Sequence, residues 1–291
     1  MLKRREFLAV AAVAPALRAA RVVDSSKVRA RRVGKVETVF KSPGPKPNGL
    51  QATKDGLWII DQGDNRAYLV SYQDGKPLRS LETEADRASG ITFDGQAIWI
   101  ASTYSREIVR SDAMTGKTIR KYFTPGAGVI YRMVGDPAGR SSPLVKREAP
   151  PAGQKRGQGQ GQGQVGGFQQ GQELGARASG TGAHGLEWKD GKLWVASPPS
   201  RTIYRLNPEE WVVEHAFPTA GNRPHGIGWE GKYLWCADSN LNAFFKHDTE
   251  SGEILEKIQL GDSDPLPHGM TIWEGTMWYC DDVGIVCRLK M

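Results

Sequence analysis

Cysteine is scarce in this chain, with three in 291 residues, which excludes a mini-domain stapled together by disulfides. Long apolar runs are lacking too. The longest, Leu8–Leu17, has about ten residues against the roughly 20 that a permanent membrane span requires, so no such span is expected. Familiar catalytic and nucleotide-binding signatures are also missing: there is no Cys-x-x-Cys and no nucleophile elbow. The repetitive stretch Gly157–Gly167 lacks the flanking strand, helix and lysine of a phosphate cradle. Excess positive charge is missing from most of the chain, although the formal net charge is +7. Lys3, Arg4, Arg5 and Arg18 near the start and the run Lys27, Arg29, Arg31, Arg32 and Lys35 together outweigh that whole excess. The remainder is close to neutral, so nucleic acid is not an expected partner.

What is present is tryptophan, glycine and proline, at 9, 35 and 17 residues. That composition points to many short strands joined by tight turns. Residues 1–20 are distinct from the rest. Arg4-Arg5-x-Phe7-Leu8 leads directly into the apolar run, with small residues at Ala14–Ala16 and Ala19–Ala20. This order of basic, apolar and small-residue regions resembles a twin-arginine export signal, whose translocase would be a transient partner. The resemblance implies a periplasmic or secreted protein that crosses the membrane folded. Residues 21–35 read as a basic linker.

From residue 36 to 291 the chain repeats itself. Asn48-Gly-Leu leads to Trp58 and Asp61, and Ser89-Gly-Ile to Trp99 and Ser102. His184-Gly-Leu leads to Trp194 and Ser197, His225-Gly-Ile to Trp235 and Asp238, and His268-Gly-Met to Trp278 and Asp281. Successive starts lie 41, 95, 41 and 43 residues apart. Within a repeat, four short strand-like stretches alternate with turn signals, as in His225–Trp229, Tyr233–Ala237, Ala243–Lys246 and Ile254–Leu260. The expected fold is therefore all-β, a β-propeller of four-stranded blades. The tryptophans are expected to pack between blades. The last repeat is one strand short, and Val36–Phe40 is expected to supply the missing outer strand and close the ring. The 95-residue gap holds a Gly/Gln-rich insertion at about 129–178, which cannot bury enough apolar surface to order itself. Five blades are expected, with six as the alternative if a degenerate blade lies in that gap.

Antiparallel pairing brings the start of the first strand and the end of the second to one end of each sheet. Asn48, Ser89, His184, His225 and His268 would thus share the channel mouth with Asp61, Ser102, Ser197, Asp238 and Asp281. Three of the chain's five histidines occupy one repeat position in consecutive repeats. Imidazoles there would suit general acid–base work, with His225 and His268 as the catalytic pair. Alternatively His184, His225 and His268, with Asp238 and Asp281, would hold a divalent metal ion. A purely structural role for the His-Gly pair stands beside both. Asn48 and Ser89, with Arg66, Arg106 and Arg201 just after the second strand, are the residues expected to meet a small-molecule or peptide ligand. Cys280 and Cys287 could face each other across a hairpin as a disulfide, or remain free thiols beside Cys236.

The wording Pro224-His225-Gly-Ile-Gly-Trp, followed by Leu234-Trp235-Cys-Ala-Asp238, resembles the repeat of the virginiamycin B (streptogramin) lyases. More loosely it is similar to SMP-30/gluconolactonase and NHL-type propellers. In the lyase family a seven-bladed propeller opens a cyclic depsipeptide by elimination, using a histidine base and a magnesium ion held by acidic residues. The resemblance implies His268 as base with Asp281 as its acidic partner, and His225 with Asp238 as a second pair. A lyase or hydrolase acting on a small ester, lactone or cyclic peptide is the enzymatic expectation. A non-catalytic propeller that binds a ligand or a protein is the alternative.

Overall fold

In each repeat the segment carrying the tryptophan is apolar without interruption, as in Leu57-Trp58-Ile59-Ile60 and Leu193-Trp194-Val195-Ala196. Such a run marks a strand covered on both faces. In the computed structural model, which describes residues 24–127 and 181–291, these runs are second strands of five four-stranded antiparallel sheets. The strand β1 (Glu37–Lys41) comes first in the chain and belongs to the last blade. Blade one is β2 (Pro47–Thr53), β3 (Gly56–Asp61), β4 (Arg66–Val70) and β5 (Pro77–Glu82). Blade two is β6 (Ala88–Phe93), β7 (Ala97–Ser102), β8 (Glu107–Asp112) and β9 (Thr118–Phe123). Blade three is β10 (Gly185–Lys189), β11 (Lys192–Ser197), β12 (Thr202–Asn207) and β13 (Val212–Pro218). Blade four is β14 (Pro224–Glu230), β15 (Tyr233–Asp238), β16 (Ala243–His247) and β17 (Ile254–Gln259). Blade five is β18 (Met270–Trp273), β19 (Thr276–Cys280) and β20 (Ile285–Lys290), completed on its outer edge by β1.

The closing strand is the one expected from sequence, shifted by one residue: Glu37 pairs with Arg288 and Lys41 with Ile285. This pairing covers the edge that β20 would otherwise expose. Five blades close the ring, and the six-blade alternative fails because blades two and three are already in contact. Trp99 of β7 stacks on Trp188 of β10 with ring centroids 5.8 Å apart. The expected export signal at residues 1–20 and the low-complexity insertion lie outside the described residues. No helix among the described residues is long and apolar enough to cross a membrane.

The core is divided into five apolar wedges, one at each blade junction. Each wedge takes the tryptophan of one second strand and apolar residues from the first strand of the next blade, as Trp58 meets Ile91 and Trp235 meets Met270. All five of these tryptophans are buried, as expected. Cys236, Cys280 and Cys287 are buried free thiols. The hairpin register opposes Cys287 to Tyr279, and Cys280 to Val286. The two thiols therefore enter different wedges, blades four–five and five–one, and cannot form the disulfide that the symmetric spacing allowed.

The basic linker has a definite seat. Ala30 forms a parallel bridge to Lys257 on the outer edge of blade four. Arg31 Nη1 lies 2.7 Å from Glu230 and its Nη2 2.7 Å from Glu256, while its guanidinium covers the Trp235 ring. Partial burial alone would raise the Glu230 carboxyl, but hydrogen bonds from Arg31 and Lys246 prevail and hold it at about 2.

The residue following each channel-mouth position is glycine, and backbone contact between blades requires it. A Cβ on Gly185 would stand 2.0 Å from His225 O, and one on Gly226 2.0 Å from Met270 N. Gly49, Gly90 and Gly269 meet backbone of the next inner strand at 2.4, 2.8 and 2.6 Å in the same way. Overpacking of this kind costs about 1–3 kcal/mol. Gly185→Ala is accordingly expected to lower the free energy of unfolding, measured by urea titration, by an amount in that range. An alanine variant as stable as the parent would show that the blades are not closed through this contact.

Candidate functional site

The mouth residues are aimed by an irregularity in the inner strands. Pro47, Ala88 and Pro224 pair with Asp61, Ser102 and Asp238, but the register slips immediately afterwards, at Asn48, Ser89-Gly90 and His225-Gly226. Bulges re-aim side chains and are frequent beside active sites. In blades one, two and four they fall at the mouth residue itself, Asn48, Ser89 and His225.

Three histidines form a contiguous arc. The His184 and His225 ring centroids are 4.6 Å apart, edge to face, and those of His225 and His268 are 4.5 Å apart with planes inclined by 30°. Asn48 continues the arc, its Nδ2 lying 3.5 Å from His268 Nδ1. Ser89 turns away to accept from Gln62 Nε2 at 3.2 Å. His225 is the best anchored of the set. Its Nδ1 lies 3.0 Å from Arg223 O and 2.9 Å from Ser239 Oγ. The single Ser239 hydroxyl hydrogen goes to Pro267 O at 2.6 Å, so Ser239 and Arg223 can both only accept from the ring. The His225 proton therefore sits on Nδ1, and Nε2 carries the free lone pair.

Burial and mutual repulsion keep the arc neutral. His225 and His268 are 1% and 2% exposed. Desolvation, reinforced by the His268 and Arg223 charges, lowers the His184 imidazole to about 3, and His225 is held well below its usual value for the same reasons. Burial brings His268 down to about 4, with Asp282 opposing and Arg223 and Lys46 assisting. Three polar atoms of the arc are buried without a hydrogen-bond partner among the described residues: Asn48 Oδ1 and both ring nitrogens of His184.

The carboxylates have other work. Asp238 accepts from the backbone N–H of Arg223, Asn240 and Leu241, and Asp61 accepts in the same pattern from Lys46, Gly63 and Asp64. Asp281 accepts from Val283 and Ile285 N–H. These residues fix the turn between second and third strands and, in blades one and four, tie it to the chain entering the first strand. Among the described residues no three His, Cys, Asp or Glu side chains are gathered so as to hold a metal ion. The imidazoles lie face on face or edge on face, and Asp238 and Asp281 are committed to backbone. The expected metal set of His184, His225, His268, Asp238 and Asp281 thus falls into an arc of stacked imidazoles and a pair of turn-capping carboxylates, and the donors do not fit the expected divalent ion.

Of the expected arginines, Arg66 is turned away from the arc. Arg66 bonds Glu82 and Ser80 on its own outer strand. It stands one residue past the repeat position of Arg106 and Arg201, whose true counterparts are Asn65, Asn242 and Gly284, all with positive φ before the third strand. Arg106 Nη1 reaches Ala127 O at 3.5 Å, beside the start of the long connection between blades two and three. Sequence reasoning missed two residues altogether. Ser239, which orients His225, follows Asp238 directly. Glu187 follows His184 by three positions and places a carboxyl inside the channel. A polar residue at the same offset in other repeats, Gln51, Thr92 and Thr271, was the available signal.

The fold and the arc together define a five-bladed β-propeller with a neutral, desolvated polar cluster at one channel mouth. No protein-family model matches the chain, and neither does any curated protein. Among solved structures it is similar to the glutaminyl cyclase of Myxococcus xanthus, with a TM-score of 0.57 and 11% identity over 90% of this chain and 98% of that one. A streptogramin B lyase structure matches at TM-score 0.48 and 15% identity, covering 88% of this chain and 97% of that one. A virginiamycin B lyase from Staphylococcus aureus matches at TM-score 0.45 and 17% identity, covering 84% and 66%. At these identities the likeness is one of fold.

Proposed function

We propose that the chain is an exported propeller enzyme, a lyase or hydrolase acting on a small ester, lactone or cyclic peptide bound at the histidine arc. The observation that carries this reading is the set of unpartnered buried atoms, Asn48 Oδ1 and the His184 ring nitrogens, beside an oriented His225. Buried polar groups normally have partners, and a bound ligand that both donates and accepts would supply them here. His225, with its proton fixed on Nδ1, offers the Nε2 lone pair as general base. The donor nitrogen of Asn48 facing His268 Nδ1 leaves the His268 proton on Nε2, which suits it to protonate a leaving group or polarise a carbonyl. No step is routed through a metal, because the donors do not converge on one point.

The reading predicts a panel result. Against esters, lactones and cyclic depsipeptides, a turned-over substrate should lose about 10²–10⁴-fold in kcat/KM in His225→Ala. Turnover should fall as pH drops through about 4, where His268 takes up a second proton, on Nδ1, and can no longer accept from the Asn48 amide that orients it. Elemental analysis of the same preparations provides the control. A stoichiometric divalent metal lost in His225→Ala/His268→Ala would overturn the metal-free assignment.

The depth of the imidazole depression favours a second reading, a binding propeller that uses neutral imidazoles only as hydrogen-bond partners. Ligand retention that collapses in His225→Ala, with no turnover of any panel member by the parent, would select it.

Export rests on Arg4-Arg5 ahead of the apolar run. Fractionation of a bacterial host should find the full chain in the periplasm, and Arg4→Lys/Arg5→Lys should retain it in the cytoplasm. Unchanged export of that variant would remove the twin-arginine assignment.

A further inference from the structure

Away from the mouth, the segment from Asp24 to Val36 has almost no structure of its own. It makes one short turn, Ser25–Lys27, and a single bridge at Ala30. From Arg29 onward its hydrogen bonds all run to blade four. Arg31 N donates to Lys257 O at 2.7 Å and Lys257 N to Arg29 O at 2.9 Å, both on the outer edge of that blade. Lys257 Nζ reaches Ser25 O at 2.8 Å, and Arg29 Nη2 pairs with Glu256 at 3.0 Å. Further along, Val33 and Val36 pack into the wedge between blades four and five before the chain enters β1.

The seat of Arg31 is assembled from all four strands of that blade. Its two terminal nitrogens fork onto Glu230, the last residue of the innermost strand β14, at 2.7 and 3.1 Å. Glu256 on the outermost strand β17 accepts from Nη2 at 2.7 Å. The ring beneath the guanidinium, 5.1 Å away, is Trp235 of β15, and Lys246 of β16 holds both acids, Glu230 at 2.6 Å and Glu256 at 3.2 Å. The strands β14 and β17 are opposite edges of the sheet, so no hairpin alone offers this site. Two cations balance two carboxylates there only when Arg31 is in place. Fully exposed ion pairs contribute little to stability. The Arg31 and Glu256 side chains are only 22% and 6% exposed, however, and a forked guanidinium–carboxylate pair is among the stronger polar contacts.

We propose that residues 24–36 form a clasp that seats only on a completed blade four, gathering the N-terminal segment onto the propeller when the ring closes and releasing it when that blade opens. With so few contacts of its own, the segment has nothing to hold it once the seat is lost. Docked, it straddles the last junction, with Arg31 on blade four and β1 on blade five, so one stretch of chain closes the ring twice. A β1 strand that lifts from β20 stays tethered beside its partner, and the high local concentration favours reclosure. The basic run Lys27–Lys35, which reads in sequence as a linker, is thereby held against the fold. The export reading above would give the clasp its use, since the expected signal lies just ahead of it; the contacts themselves do not rest on that reading.

Trypsin reads the clasp directly, because Lys27, Arg29, Arg31, Arg32 and Lys35 are all cleavage sites. In the full chain under native conditions, cleavage between Lys27 and Lys35 should be slow and governed by local undocking. The product should be a ring that keeps its native tryptophan fluorescence. Glu230→Gln and Glu256→Gln each remove one edge of the seat and leave every cleavage site intact. Either alone should speed cleavage in the segment about tenfold, as expected for one lost charge-assisted contact. Arg31→Lys keeps the charge and the site but loses the fork, and should have the same effect. Parental cleavage as fast as that of a free synthetic peptide of residues 24–36 overturns the proposal, since the segment would then not be seated. So does cleavage at the parental rate in either glutamine variant, because the seat would then not need both edges of the blade. Cleavage that proceeds only together with digestion of the whole ring, or a failure of all three variants to fold, overturns it as well, because the segment would then be part of the core. Loss of the twin-arginine assignment would leave each of these outcomes as it stands.

Discussion

Backbone-to-backbone contact at five glycines is the constraint on which the rest of the structure depends. Gly49, Gly90, Gly185, Gly226 and Gly269 each bring one inner strand against the next at distances that exclude a side chain. Gly226 N also donates to His268 O at 2.8 Å, so the contact is bonded as well as close. A ring closed this tightly leaves the residue before each glycine nowhere to go but the channel mouth. The approach of His184, His225 and His268 therefore follows from the glycines rather than from attraction among imidazoles, which offer one another none. It also follows that the mouth is desolvated. The neutrality of the arc and the upward push on the Glu187 carboxyl are two results of one closure, seen on a base and on an acid.

Repetition makes the architecture legible in the amino-acid order alone. The phase of the Gly and Trp positions gives strand order, the missing fourth strand of the last repeat gives the closure by β1, and unbroken apolar runs give the burial of the tryptophans. Repetition misleads where it is not strict. Arg66 falls near Arg106 and Arg201 without sharing their position, and only the positive φ of Asn65 reveals the true alignment. Cys280 and Cys287 flank a hairpin symmetrically in sequence, but a register offset of one residue sends them to opposite faces.

The acidic residues are the more instructive case. Aspartate at the end of a second strand is compatible with a metal ligand and with a turn cap, and sequence carries no mark that separates them. The separation comes from the backbone: once the chain turns directly after the strand, free N–H groups at the next two or three residues lie within reach of the carboxylate, and Asp61 and Asp238 saturate themselves on these. Their burial raises both carboxyls, while the same amides oppose the rise. Glu187 was hidden for the opposite reason. It interrupts the apolar alternation of an inner strand, and a lone polar residue there reads as noise until its counterparts on the other blades are seen to converge with it.

A desolvated arc sets limits on what chemistry this mouth can perform. A base that stays unprotonated down to strongly acidic pH is always available but individually weak, so any proton it takes must come from a carbon or heteroatom acidified by the substrate's own carbonyl. Esters, lactones and cyclic depsipeptides have such a carbonyl, and simple sugars and phosphates do not. A bound anion would have to be desolvated among neutral imidazoles, with Arg223 and Lys46 as the cations whose charge reaches the arc. The desolvation that follows from the glycine ring thus argues for an uncharged, carbonyl-bearing ligand, and the same property would serve a pure binding role for that class of molecule equally well.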